Sequence, residues 1–211
     1  MASIPLQFDE SNPVKQLISA RKLHKSISAS RKLVSGITQL DALFANVRDG
    51  DVIEWGIPPG LNGRLIPLQF LKKDMPTSVW IYHHHNLAVF ASSWISHGVD
   101  LDRLYFIRSA NPVSQLRPLF LEDTFKRIII DSPKHLSSGD LAFLATQARR
   151  NGQIIFLIRH FFLSPKKGNA YAAIRLNSWQ KDAHHFTIQI IKGPVNRTIR
   201  LPVSSLYDHA I

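Results

Sequence analysis

Two short runs constrain the fold most: RIIID at Arg127 to Asp131 and QIIFLIR at Gln153 to Arg159 are apolar at almost every internal position. A strand with one face in water alternates apolar and polar side chains, whereas a strand covered on both faces does not. These runs therefore require cover above and below. The segment between them, Gly139 to Arg150, places Leu141, Leu144, Ala145 and Ala148 on one helical face. Strand, helix and strand joined by short connections imply an α/β fold, with a mainly parallel sheet flanked by helices.

The same alternation runs through most of the chain. Ser35 to Phe44 reads as a turn and a short helix, Asp51 to Trp55 as a strand, and Arg64 to Lys73 as a helix. Ser78 to Tyr82 is a strand by its β-branched and aromatic content. Leu87 to His97 is helical in spacing, RLYFIR at Arg103 to Arg108 is a strand, and Pro112 to Phe125 holds a helix interrupted near Pro118. Two later runs, AAIRLNSWQ and HHFTIQIIKG, suggest a C-terminal antiparallel hairpin, and TIRLPV one further strand. Residues 1–34 are polar, basic and serine-rich, and are expected to form a basic N-terminal arm on a domain spanning 35–211.

The 211 residues suit one domain, and 45% apolar content can bury a core. With no cysteine, disulfides and thiolate metal sites are excluded, and a reducing cytoplasm is the expected location. No apolar run reaches the length of a membrane span, so no membrane partner is expected, and the N-terminus does not read as a signal peptide. The net charge of +11 favours nucleic acid, acidic proteins or anionic lipid without choosing among them.

WGIPPGLNGRLIPLQF, at Trp55 to Phe70, follows a strand and enters a helix-like segment, where many proteins cradle phosphate. Gly56, Gly60 and Gly63 could turn backbone N–H groups inward, and Arg64 could touch a phosphate. Leu65 cannot ligate magnesium, and Pro58 and Pro59 each remove a donor. A tight structural turn explains the stretch equally well. Asp131 ends its strand where a carboxylate could hold a magnesium-bound water, or simply cap the turn before Ser132 and Pro133.

Five segments taken in order resemble the RecA core: SGITQLDALF, GDVIEWGIPPGLNGR, WIYHHHNL with HGVDLDRLYFI, FKRIIIDSP, and NGQIIFLIRHF with GNAYAAIRLNSW and FTIQIIKG. The resemblance covers about Lys32 to Gly193. It implies a RecA-like fold whose phosphate loop is degenerate: Arg64 stands at the lysine position and Leu65 at the Ser/Thr position. His84 falls on or near the glutamate that would activate water, His160 falls on the nucleotide-sensing glutamine, and Asp131 alone keeps its type. No catalytic residue and no efficient ATP hydrolysis are expected, and ATP with magnesium is a disfavoured cofactor. Within the superfamily the chain looks like the ImuA type, RecA-like accessories of SOS mutagenesis. That likeness implies translesion polymerase subunits or RecA as partners and leaves DNA open as a ligand. A SulA-like cell-division inhibitor binding a tubulin-like protein, and an atypical ATPase using Arg64 and His84, are the alternatives.

RHFFLSPKKGNA, at Arg159 to Ala170, corresponds to a loop that faces DNA in RecA-like recombinases. Arg159, Phe161, Phe162, Lys166 and Lys167 are its candidate DNA contacts, because cations beside aromatics suit single strands. The alternative has both phenylalanines in the core. HHH at His83 to His85 invites a metal, but neighbours on a strand point to opposite faces and no further ligand lies nearby, so none is expected. Trp55, Trp80, Trp94 and Trp179 are expected in the core. The C-terminal LPVSSLYDHAI either docks on a partner or packs back on the domain.

Overall fold

A computed structural model describes residues 33–72, 75–83, 91–193 and 197–207. The expected arm at 1–34 lies outside these, apart from Leu33 and Val34, and so does His84. Leu33 is already buried in the core, so the domain begins slightly before the boundary read from composition.

The described residues form an α/β fold around one eight-stranded sheet. Its strands are β1 (Val52–Gly56), β2 (Ser78–Tyr82), β3 (Leu104–Arg108), β4 (Arg127–Asp131), β5 (Ile154–Arg159), β6 (Ile174–Gln180), β7 (His185–Lys192) and β8 (Thr198–Pro202). They lie in the order β3-β2-β4-β5-β1-β6-β7-β8. Pairing is parallel from β3 across to β6, while β7 is antiparallel to both β6 and β8. The helices are α1 (Thr38–Leu43), α2 (Leu65–Leu68), α3 (Ala91–Ile95), α4 (Pro112–Gln115), α5 (Arg117–Leu121) and α6 (Ser138–Asn151). None is long and apolar enough to cross a membrane.

The two apolar runs that open the argument are neighbours, β4 and β5, buried on both faces as their composition requires. Alternation splits their side chains between two cores. Ile129, Phe156 and Ile158 join Trp55, Phe44 and Phe70 on one face. Ile128, Ile130, Ile155 and Leu157 meet Leu144, Ala145 and Ala148 of α6 on the other. The best-defined helix is α6, because Ser137 and Asp140 close a reciprocal capping box at its start.

Two expected helices are cut short. Arg64 to Lys73 yields only the four residues of α2 and a 3-10 turn, Gln69–Leu71. Pro67 lies inside α2 and has no N–H to extend an α-helical ladder. Pro112 to Phe125 splits into α4 and α5 around Leu116, one residue before the Arg117–Pro118 start of the second piece. The described part of the C-terminal run, residues 201–207, packs back, with Leu201 and Leu206 fully buried.

Candidate functional site: two ion-pair clusters on opposite faces of one sheet

Strand order places the ends of β4, β5 and β1 side by side, and this gathers residues far apart in sequence. On the face that carries Ile129 and Trp55, the end of β4 presents Asp131. Its carboxylate is almost wholly buried, at 1% exposure. Arg64 reaches it from the turn after β1 with both arms, Nε donating to Oδ2 at 2.9 Å and Nη2 to Oδ1 at 3.0 Å. The Trp80 indole N–H donates to Oδ2 at 3.2 Å and the Ser132 hydroxyl to Oδ1 at 2.7 Å. His160, after β5, meets Arg64 through Nε2, and the same nitrogen lies 3.7 Å from Asp131 Oδ1. The two residues expected to face a phosphate and a magnesium-bound water are thus bound to each other.

The turn that precedes this pair is closed in the same way. Gly56 and Gly63 are needed for close packing. A Cβ on Gly56 would fall 2.2 Å from Asn177 Oδ1, and one on Gly63 would fall 2.5 Å from the Ser178 carbonyl. Gly60, at φ +75°, makes the exposed turn itself. The N–H groups of Leu65 and Ile66, which begin the helix, already donate to the carbonyls of Asn62 and Gly63. Ser178 accepts from the Trp55 indole and donates to Gly63, while Gln180 N–H donates to Leu61, so β6 holds the turn down.

A magnesium nucleotide does not fit this donor set. Arg64 is engaged bidentately, the first amides of α2 are spent, Leu65 offers no oxygen, and an anion would have to displace a tethered carboxylate. Among the described residues no cluster of three His, Cys, Asp or Glu side chains could hold a metal ion.

The second cluster lies on the opposite face. Along β1, Ile53 and Trp55 enter one core and Val52 the other, so Glu54 shares the face of Val52. Glu54 is 2% exposed and accepts three bonds: Arg159 Nε at 3.1 Å, Arg175 Nε at 2.8 Å and the Asn169 N–H at 3.1 Å. Arg175 then donates Nη2 to the carbonyls of Ser164 and Lys167, at 3.1 and 2.6 Å. Asn177 holds Leu163 through both backbone groups, and Lys192 donates Nζ to the carbonyls of Ala170 and Ala172. The loop 160–173 is therefore tied from beneath along most of its length.

This geometry changes the role of Arg159. Expected as a DNA contact, it turns inward to Glu54 and its side chain is only 15% exposed. Phe161, Phe162, Lys166 and Lys167 remain exposed, which removes the alternative of a buried phenylalanine pair. Phe162 rests edge-to-face against Trp179, which is half-buried, as is Trp94, whereas Trp55 and Trp80 are fully buried.

Glu54, Arg175, Asn177 and Ser178 are functional positions that no motif in the sequence marks. The signal was present: a glutamate inside an apolar strand needs a buried cation. Arg175 and Asn177, two residues apart in AAIRLNSW, share one face of the neighbouring strand.

A scan against protein-family models found no match, and a search of curated proteins found none either.

Proposed function

We propose that the chain is a non-recombinase, RecA-like accessory of damage-induced mutagenesis and translesion DNA synthesis. On this reading it works through contacts with translesion polymerase subunits or RecA, and it neither needs nor hydrolyses ATP. The observation that carries the reading is the bidentate Arg64–Asp131 pair, because each residue neutralises the other where a nucleotide enzyme needs both free. Such a core keeps its shape without ligand, which suits a binding module. The net charge of +11 suits work beside DNA.

A calorimetric titration of MgATP into the full chain tests the nucleotide half. No heat of binding in the low-micromolar range is expected; saturable binding there, with turnover, would return the atypical ATPase. A tagged pull-down from damaged cells tests the partner half. Recovery of a translesion polymerase, its companion or RecA is the expected result, whereas recovery of the division tubulin would replace the proposal with the SulA-like inhibitor.

A further inference from the structure

The loop over the Glu54 cluster is the largest feature that a nucleotide-free core leaves unexplained. Phe161, Phe162 and Tyr171 are 58%, 50% and 44% exposed, all within one eleven-residue stretch that also holds Pro165, Lys166 and Lys167. Large apolar side chains grouped this way on a surface mark an interaction site more often than isolated ones do. The backbone beneath them is already fixed, by Asn177 at Leu163, Arg175 at Ser164 and Lys167, Glu54 at Asn169 and Lys192 at Ala170 and Ala172. Gly168 is part of that fixing, since a Cβ there would fall 1.7 Å from Arg175 Nη2. A partner meeting this loop has little of its ordering entropy left to supply.

Charge defines the partner. The sequence holds no acidic residue between Asp140 and Asp182. Glu54, the carboxylate bonded to the loop at Asn169, is buried and paired with Arg159 and Arg175. Lys166 and Lys167 carry no side-chain partner among the described residues, so the charged side chains that the loop itself turns outward are cations. Single-stranded DNA and an acidic protein segment both complement that surface. The loop has two free cations, because Arg159 and Arg175 turn inward to Glu54 and Lys192 is held on the loop's own carbonyls. Two phosphate contacts correspond to a salt slope of only about −1.4 on a single strand, which is a weak encounter. Rigid aromatic anchors ringed by a little charge are, by contrast, what a protein hot spot needs.

The geometry points to the loop 161–171 as a preformed docking surface for an acidic protein segment that packs apolar or aromatic side chains on Phe161, Phe162 and Tyr171, with its carboxylates on Lys166 and Lys167. This inference rests on the reading that the chain works through protein contacts, and it assigns those contacts to a surface and a partner chemistry.

A phage-displayed library of random peptides, panned on the full chain, tests it. Enriched peptides should combine acidic residues with an apolar or aromatic pair. Their binding should weaken roughly thirtyfold on Phe161→Ala with Phe162→Ala, the loss typical of hot-spot aromatics, and again on Lys166→Glu with Lys167→Glu. Both pairs of changes lie on exposed side chains, and an unchanged thermal midpoint verifies the fold. No enrichment, enrichment of peptides without acidic residues, or binding indifferent to these substitutions each overturns the proposal. So does oligo(dT) binding that falls with the same substitutions while no peptide enriches, which would make the loop a nucleic-acid surface. Repeating the damage pull-down with the phenylalanine variant separates the two levels. A partner still recovered leaves the accessory role standing and removes the loop from it.

Discussion

Two buried arginine–carboxylate clusters sit on opposite faces of the same sheet, and they do opposite things. At Asp131 the pairing closes a site. The guanidinium comes from the turn after β1, and the pair lies at the C-terminal strand ends, the edge where α/β proteins usually bind ligands. At Glu54 the pairing builds a surface. The carboxylate binds two guanidiniums, and one of these reaches on to hold a loop that displays its aromatics outward. Exposure also differs. Both partners of the Glu54–Arg175 pair are nearly buried, at 3% and 6%, whereas Arg64 is 22% exposed against 1% for Asp131. One kind of ion pair thus ties up its own partners in one region and organises a loop in another, depending on whether its arginine spends its remaining donors on backbone.

The largest effect should come from breaking the organising cluster. Glu54→Gln keeps the shape but leaves Arg159 and Arg175 without a counter-charge on a face where Arg175 cannot reach water. Removing one member of a buried pair costs about 3–5 kcal/mol. Urea unfolding of Glu54→Gln should show a loss of that order, together with early proteolytic cleavage inside 160–173. A loss under about 1 kcal/mol would mean the loop does not depend on this carboxylate.

The Asp131 cluster should respond less, and unequally. Arg64→Ala takes the bidentate guanidinium from the buried Asp131 carboxylate, leaving it to Trp80, Ser132 and the neighbouring His160, and should cost about 3 kcal/mol. Asp131→Asn leaves Arg64 free to turn toward solvent and should cost about 1–2 kcal/mol. Equal costs would mean the pair behaves as an exposed bridge. Asp131→Asn should also admit inorganic phosphate beside Arg64, seen as a raised thermal midpoint in phosphate buffer, and Arg64→Ala should not.

The sequence made the strands legible because β4 and β5 are too apolar for any other place, and SVWIY kept its boundaries as β2. Helix lengths were less legible. Apolar spacing continued through Pro67 and Leu116, where the backbone could not follow. The degenerate turn was legible as a set of missing groups, but not as a closed one. That Arg64 would meet Asp131 depends on β1 and β4 flanking β5, which no local pattern states. The Glu54 cluster was overlooked because β1 reads as apolar unless its one glutamate is required to find a partner.

The smallest effect tests the edge of the Asp131 face, where Leu206 and Tyr207 pack. The His97 ring lies 4.9 Å from that of Tyr207, and its Nδ1 is buried without a partner among the described residues. Burial first, and then the charge of Lys72, lower its pKa from 6.5. The folded protein therefore resists protonating His97, while the unfolded chain accepts a proton normally. The stability linked to neutral His97 is complete above about pH 6.5 and is lost as pH falls from there toward the lower folded value. His97→Phe keeps a ring against Tyr207 and removes the proton. Its melting temperature should change less than that of the wild type between neutral and mildly acid pH, with the two proteins diverging only on the acid side. Parallel curves through that range would show that His97 is solvated enough to charge in the folded state.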